Sequence, residues 1–161
     1  MKPKSHPADR HHVRLIVSVF AEKNGRFLFI EEHKRGRRFA EPVGHVEPRE
    51  SILKAAQREF REETGYSVTL RSLIGVYHNI YSRPSVSDSL RYIFLGTIGA
   101  MMSRSEANIQ LRWIERKNLR TIVGRLTHPT SRQALKDLLI GKRWPLSVIR
   151  EMRLERNPIL R

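Results

Sequence analysis

The stretch GHVEPRESILKAAQREFREETGY, Gly44 to Tyr66, holds five carboxylates: Glu47, Glu50, Glu59, Glu62 and Glu63. The whole chain of 161 residues has only 16 Asp and Glu against 31 Lys and Arg. The window is therefore slightly acidic inside a body whose formal charge is +15. From Ser51 to Thr64 its periodicity is helical, and Gly65 is a natural stop. Residues on a helix advance by about 100° each. Glu59, Glu62 and Glu63 then share one arc, beside an apolar stripe of Leu53, Ala56 and Phe60, with Lys54, Arg58 and Arg61 on the far side. Glu59 and Glu63 form a like-charge pair at i, i+4, which costs a few tenths of a kcal/mol. They also lie near the negative end of the helix dipole, where a solvated helix favours Lys or Arg. A divalent cation among the carboxylates resolves both conflicts. Carboxylates without thiolates suit a hard ion, Mg²⁺ or Mn²⁺.

The spacing carries more. Gly44 is followed after five residues by Glu50, and seven more precede Arg58-Glu59-Phe60-Arg61-Glu62-Glu63, then Thr64, Gly65 and Tyr66. This resembles the signature of the Nudix hydrolases at every fixed position. Tyr66 is a soft departure, since an aliphatic residue is usual there. Beyond the signature, HHVRLIVSVF, GRFLFIEE, PVGHVEPRES, LRYIFLG and GKRWPLSVI resemble the NudJ-type branch of bacterial phosphatases, over about Val13 to Met152.

The resemblance implies an α+β fold, a mixed β-sheet sandwiched between helices (α/β/α), in a single domain. It implies metal-dependent hydrolysis of a phosphoanhydride in nucleoside di- or triphosphates or a related small organic diphosphate. Glu59, Glu63 and Glu62 are implied as ligands of Mg²⁺ or Mn²⁺, with the Gly44 carbonyl, and Glu62 is alternatively the residue that positions water. Arg58 and Glu50 are implied as a pair orienting Glu59, or else as a framework salt bridge. Glu47 reads as an ordinary loop acid. An acid outside the signature is sought at Glu106, before the strand containing Trp113, or at Asp88. Arg37, Arg38 and Lys34 in the loop HKRGRRF, and Arg91 at the start of an apolar strand, are candidate substrate contacts. An inward Arg91 would need an anionic partner.

The remaining chain supports one domain. Val13–Phe20 and RFLFIEE read as strands joined by a turn at Asn24-Gly25. Val68–Tyr81, Leu90–Ile98 and Gln110–Glu115 read as further strands, Ser131–Ile140 as a helix, and WPLSVIREM as a last helical piece. Residues 1–12 and 153–161 are expected as tails flanking a domain at 13–152, with His6, His11 and His12 as tail residues. There is no cysteine, which excludes disulfides and thiolate metal sites. No apolar run approaches the roughly 20 residues of a membrane helix, and the N-terminus lacks a signal-peptide core. The expectation is a cytoplasmic protein that does not engage membranes. The positive body leaves two alternatives: an RNA 5′-pyrophosphohydrolase, and a basic nucleic-acid-binding protein with an inactive Nudix core. The retained glutamates count against the second. Composition does not define the oligomeric state.

Overall fold

Two apolar runs near the N-terminus set the layout, because they are buried on both faces. In the computed structural model, which describes residues 13–33, 36–83, 85–105 and 109–152, they form β1 (Arg14–Lys23) and β2 (Arg26–Glu32). Their alternation sends Val17, Val19, Ala21 and Leu28 to one side of the sheet and Phe20, Phe27 and Phe29 to the other. A side chain on each face explains why the runs are continuous rather than alternating. Asn24 and Gly25 both adopt positive φ, closing the hairpin.

The hairpin is paired only next to its turn, from Ala21↔Leu28 to Lys23↔Arg26. Farther out, β3 (Arg38–Ala40) pairs with the end of β2, and β4 (Val43–His45) pairs with the start of β1. The segment from Arg38 to His45 thus passes from one arm to the other. The loop expected over HKRGRRF ends in a strand. Its short strand was hidden because three residues with a leading arginine have no periodicity, and their partner is supplied from elsewhere in the chain.

Beyond β1 lie β6 (Ser89–Met101), parallel to it, and β5 (Tyr66–Asn79), antiparallel to β6; β7 (Gln110–Glu115) pairs antiparallel with β2. The result is one mixed seven-stranded sheet. Helix α1 (Ile52–Thr64) covers one face through Ala55, Ala56 and Phe60. Helices α2 (Leu119–Ile122) and α3 (Pro129–Leu139) cover the other through Leu119, Ile122, Ala134, Leu135 and Leu138. This is the expected sandwich in a single α+β domain. β6 runs longer than the expected Leu90–Ile98, while β5 keeps the expected length and lies two residues nearer the N-terminus. WPLSVIREM contains only a single 3₁₀ turn at Leu146–Val148, after Trp144 has formed a two-way backbone bridge with Leu73. The expected tails, Lys34 and Glu106 lie outside the described residues.

Candidate functional site

Helix α1 is fixed locally at both ends. Ser51 has extended backbone and its hydroxyl accepts from the Lys54 N–H, while Gly65 takes the left-handed conformation at φ 77° and donates to the Arg61 carbonyl. A Cβ at Gly65 would also fall 2.4 Å from the Ser103 carbonyl, so only glycine fits that position. The signature carboxylates are therefore presented from a helix with little freedom to slide.

Arg58 gathers them. Its Nε and Nη2 donate to the two oxygens of Glu50 at 2.8 and 2.9 Å. Its Nη1 donates to Glu59 Oε1 at 2.8 Å and to Glu62 Oε2 at 3.1 Å, and Nη2 also reaches the His45 carbonyl at 3.0 Å. One guanidinium thus ties the loop before the helix to two carboxylates on it. The far-side expectation for Arg58 is corrected: it stands at i, i+4 from Glu62, on the edge of the acidic arc, which is why its guanidinium reaches both carboxylates. The Glu50 carboxylate, followed by Glu59 and Glu62, raises the Arg58 guanidinium above its ordinary pKa. In return Arg58 holds the Glu50 carboxyl below the usual carboxylate range, against the opposing effect of burial.

Glu63 turns the other way. Its Oε2 accepts from the Val43 N–H at 2.8 Å, in the strand that leads into Gly44. Gly44 has a separate role. A Cβ there would lie 1.9 Å from the Glu59 carboxyl carbon. The Glu59 carboxylate rests directly on the Gly44 backbone, and any side chain would expel it.

This donor set fits a hard divalent cation in kind: three carboxylates on one arc, with a backbone carbonyl at Gly44. It is not gathered for one. Among the described residues, no three His, Asp or Glu side chains converge as a cation would require. Glu59 and Glu62 are turned onto Arg58, and Glu63 onto Val43.

The other expected residues are placed elsewhere. Arg37 is half-exposed and binds Glu31, which also accepts from Arg112 Nε at 2.7 Å. Arg112, against the cost of burial and with help from Arg37, holds the Glu31 carboxyl low. Arg37 and Arg125 both lie over the Phe39 ring. Arg38 opens β3 opposite Glu32. Arg91 is a correction to the idea of a substrate contact: it is buried, with Nη2 2.7 Å from Glu41 Oε1. The anionic partner it needed is internal. Asp88 is also buried and accepts from the Tyr81 N–H at 2.9 Å. Glu47 is exposed in the loop, as expected of an ordinary acid.

Two residues escaped the sequence reading. Glu41 is fully buried between β3 and β4, and Glu151 accepts hydrogen bonds at the start of α1. A lone Glu in a basic loop and another near the C-terminus carry no local signal of burial or capping.

Residues 9–137 match the NUDIX domain family. Phosphatase NudJ of Escherichia coli (strain K12) is 28% identical over 142 residues, covering 86% of this chain and 90% of NudJ; the Shigella flexneri protein of that name matches equally. Among solved structures, a NUDIX hydrolase from Nitrosomonas europaea superposes with a TM-score of 0.74 at 29% identity, covering 88% of this chain and 98% of that one. A MutT protein from Bacillus halodurans, at TM-score 0.68 and 22% identity over 81% of this chain and 85% of its own, shares the fold. The signature helix, its Arg58-centred carboxylates and a family match over most of the length lead to one conclusion: the chain belongs to the Nudix hydrolase family.

Proposed function

We propose that the chain hydrolyses a phosphoanhydride bond in a nucleoside di- or triphosphate, or in a related small organic diphosphate, with Mg²⁺ or Mn²⁺ as cofactor. The observation that carries this reading is the Arg58 hub, which fixes Glu59 and Glu62 side by side while Glu63 is held on the neighbouring strand. The likeness to phosphatase NudJ supports a phosphate ester or anhydride as substrate.

Glu59, Glu63, Glu62 and the Gly44 carbonyl are the residues that would hold the metal. A divalent ion bound there would neutralise phosphate oxygens and lower the pKa of coordinated water. Glu62 is more open than Glu59, with 41% against 17% of its side chain exposed. In its alternative role, free of the metal, Glu62 would position the attacking water and accept its proton as the new P–O bond forms and the bridging P–O bond breaks. Arg58 keeps Glu62 in reach of that water and Glu59 against Gly44. Glu50 anchors the guanidinium from the far side, so Arg58 cannot drift toward the substrate. No helix among the described residues is long and apolar enough to cross a membrane.

The test is a panel of nucleotides and organic diphosphates with Mg²⁺, Mn²⁺ or chelator, scored for phosphate and pyrophosphate. Metal-dependent release supports the reading, and the product identifies the anhydride cut. Undiminished turnover in excess chelator refutes the metal role.

A further inference from the structure

The start of α1 has an unusual cap. Its first turn contains no acidic residue of its own. The charge that belongs there by the helix dipole comes instead from Glu151, about a hundred positions later. Glu151 Oε1 accepts from the Ile52 N–H at 2.5 Å, and Oε2 accepts from the Ser51 hydroxyl at 2.5 Å. The Ser51 hydroxyl in turn accepts from the Lys54 N–H. A single carboxylate therefore serves one helix N–H directly and steadies the serine that serves another.

Glu151 is delivered by a strap. After α3 the chain forms its bridge at Trp144, with Leu73 N–H to Trp144 O at 2.9 Å and Trp144 N–H to Leu73 O at 2.8 Å. Leu146 and Ile149 then pack against the same cluster that holds Ala55, Ala56 and Phe60 of α1. The strap thus crosses from β5 to the mouth of the helix and ends in the cap. Immediately before the capped residues stands Glu50, the bidentate partner of Arg58. Glu50, Ser51 and Ile52 are consecutive, so whatever fixes Ser51 and Ile52 also fixes where Glu50 meets Arg58.

We infer that Glu151 is a positioning residue of the catalytic site: through the cap on Ser51 and Ile52 it holds Glu50 against Arg58, and so sets the placement of Glu59 and Glu62. The link to catalysis rests on the proposed function; the mechanical link to Arg58 does not. A cap lost here loosens the first turn and lets Glu50 move. The Arg58 guanidinium then follows Glu59 and Glu62 with less constraint, and the carboxylates become less prepared to share a cation.

The experiment compares full-length wild type, Glu151→Gln and Glu151→Asp. Gln keeps the shape but gives up one acceptor oxygen and the charge; Asp keeps the charge and shortens the reach. Without metal, amide exchange at Ile52 to Lys54 should accelerate about fivefold in Glu151→Gln, the effect of a typical lost cap. The Arg58 Nε–H proton should also exchange faster with water in the nitrogen-resolved spectrum. Direct Mn²⁺ titration should give a midpoint raised roughly three- to tenfold, and kcat should fall while KM changes by less than about twofold. Asp should lie between the other two. Faster exchange at Ile52 with an unchanged Arg58 Nε–H and unchanged Mn²⁺ midpoint would reduce Glu151 to a structural cap and overturn the inference. So would unchanged exchange at Ile52. If Gln prevents folding, the Asp variant carries the same readouts. A wild type that neither binds Mn²⁺ nor hydrolyses any substrate would fail the proposed function, while the Arg58 signal would still decide the positioning claim.

Discussion

Two carboxylate–guanidinium assemblies lie on opposite faces of the sheet, and their differences separate function from framework. On the α1 side, Arg58 meets Glu50, Glu59 and Glu62, all partly open to solvent. On the α3 side, Arg91 meets Glu41, with Ser18 and Ser131 alongside, and none is open. The first has three acids for one base and is satisfied only by sharing. The second is one acid to one base, yet Glu41 Oε2 has no hydrogen-bond partner among the described residues. Burial raises the Glu41 pKa despite Arg91, whereas Arg58 lowers that of Glu50. Crowded acids held at the surface remain available for chemistry. A closed pair fixes the Arg38–His45 segment, which delivers Val43 and Gly44 to the other assembly.

The strongest break in this comparison is Arg91→Met. Removing one partner of a buried pair costs about 3–5 kcal/mol of stability. Urea unfolding should register that loss, while the folded fraction retains kcat. Replacing both partners, as Glu41→Leu with Arg91→Met, should recover much of it. Lost activity at undiminished stability would mean Arg91 belongs to the chemistry after all.

Glu59→Gln should do the reverse. A catalytic placement lost to an uncharged isostere costs on the order of 10²-fold or more in kcat. Its melting temperature without metal should hardly move, because like charges on α1 are relieved as the Arg58 contact is weakened. A large drop in melting temperature with activity retained would assign Glu59 to the framework.

Gly44→Ala sharpens the point with less violence. The added methyl meets only the end of a flexible side chain, the Glu59 carboxylate. Stability should change little, since Glu59 can swing away. Activity should fall about tenfold, since that swing removes it from its cradle. Equal losses of both would show that Glu59 cannot swing.

Acid separates the assemblies by sign. Glu50 has a depressed pKa in the folded state, so its stabilisation is present above the ordinary carboxylate range and is lost as pH falls below it. Glu41 has a raised one, so its contribution is full below that range and is lost as pH rises through the elevated value. Unfolding free energy measured across pH 3–8 should lose part of its acid-side slope in Glu50→Gln. In Glu41→Gln the decline toward neutral pH should shrink instead. Matching changes in both variants would remove the distinction.

These assemblies were unequally legible in the sequence. Gly44, Glu50, Ser51, Arg58 and Gly65 act within 21 residues of one another, so spacing alone could reveal the helix, its ends and its acids. Glu41 acts on Arg91 across 50 positions and Glu151 on Ser51 across 100. Nothing local distinguishes either from a solvated glutamate, because charged residues are seldom buried and the partner is known only after the chain has folded. β3 was missed for the same reason: its two outer residues are half-buried, and its pairing comes from β2 and from Leu126.

The smallest expected effect lies at a third carboxylate–guanidinium group, Glu31 with Arg37 and Arg112. Arg112 still pairs with Glu31 Oε2 once Arg37 is removed, so the buried carboxylate keeps a cationic partner. What is lost is one partly exposed positive charge, and Arg38 adds another in the adjoining strand. Such charges act on an approaching anion through a field screened over about 8 Å at physiological salt. The double variant Arg37→Ala, Arg38→Ala should raise KM for a nucleoside triphosphate about two- to fourfold, with kcat and the Mn²⁺ midpoint unchanged. Raising salt should shrink the difference from wild type, since it screens the same field. A 5′-triphosphorylated oligonucleotide run in parallel tests the RNA alternative, because a strand touching many phosphates weakens far more steeply with salt. If the oligonucleotide has much the higher kcat/KM at physiological salt, RNA becomes the preferred substrate. If kcat falls in the double variant, one of these arginines reaches the reacting phosphates, and this third group belongs with Arg58 rather than with Arg91.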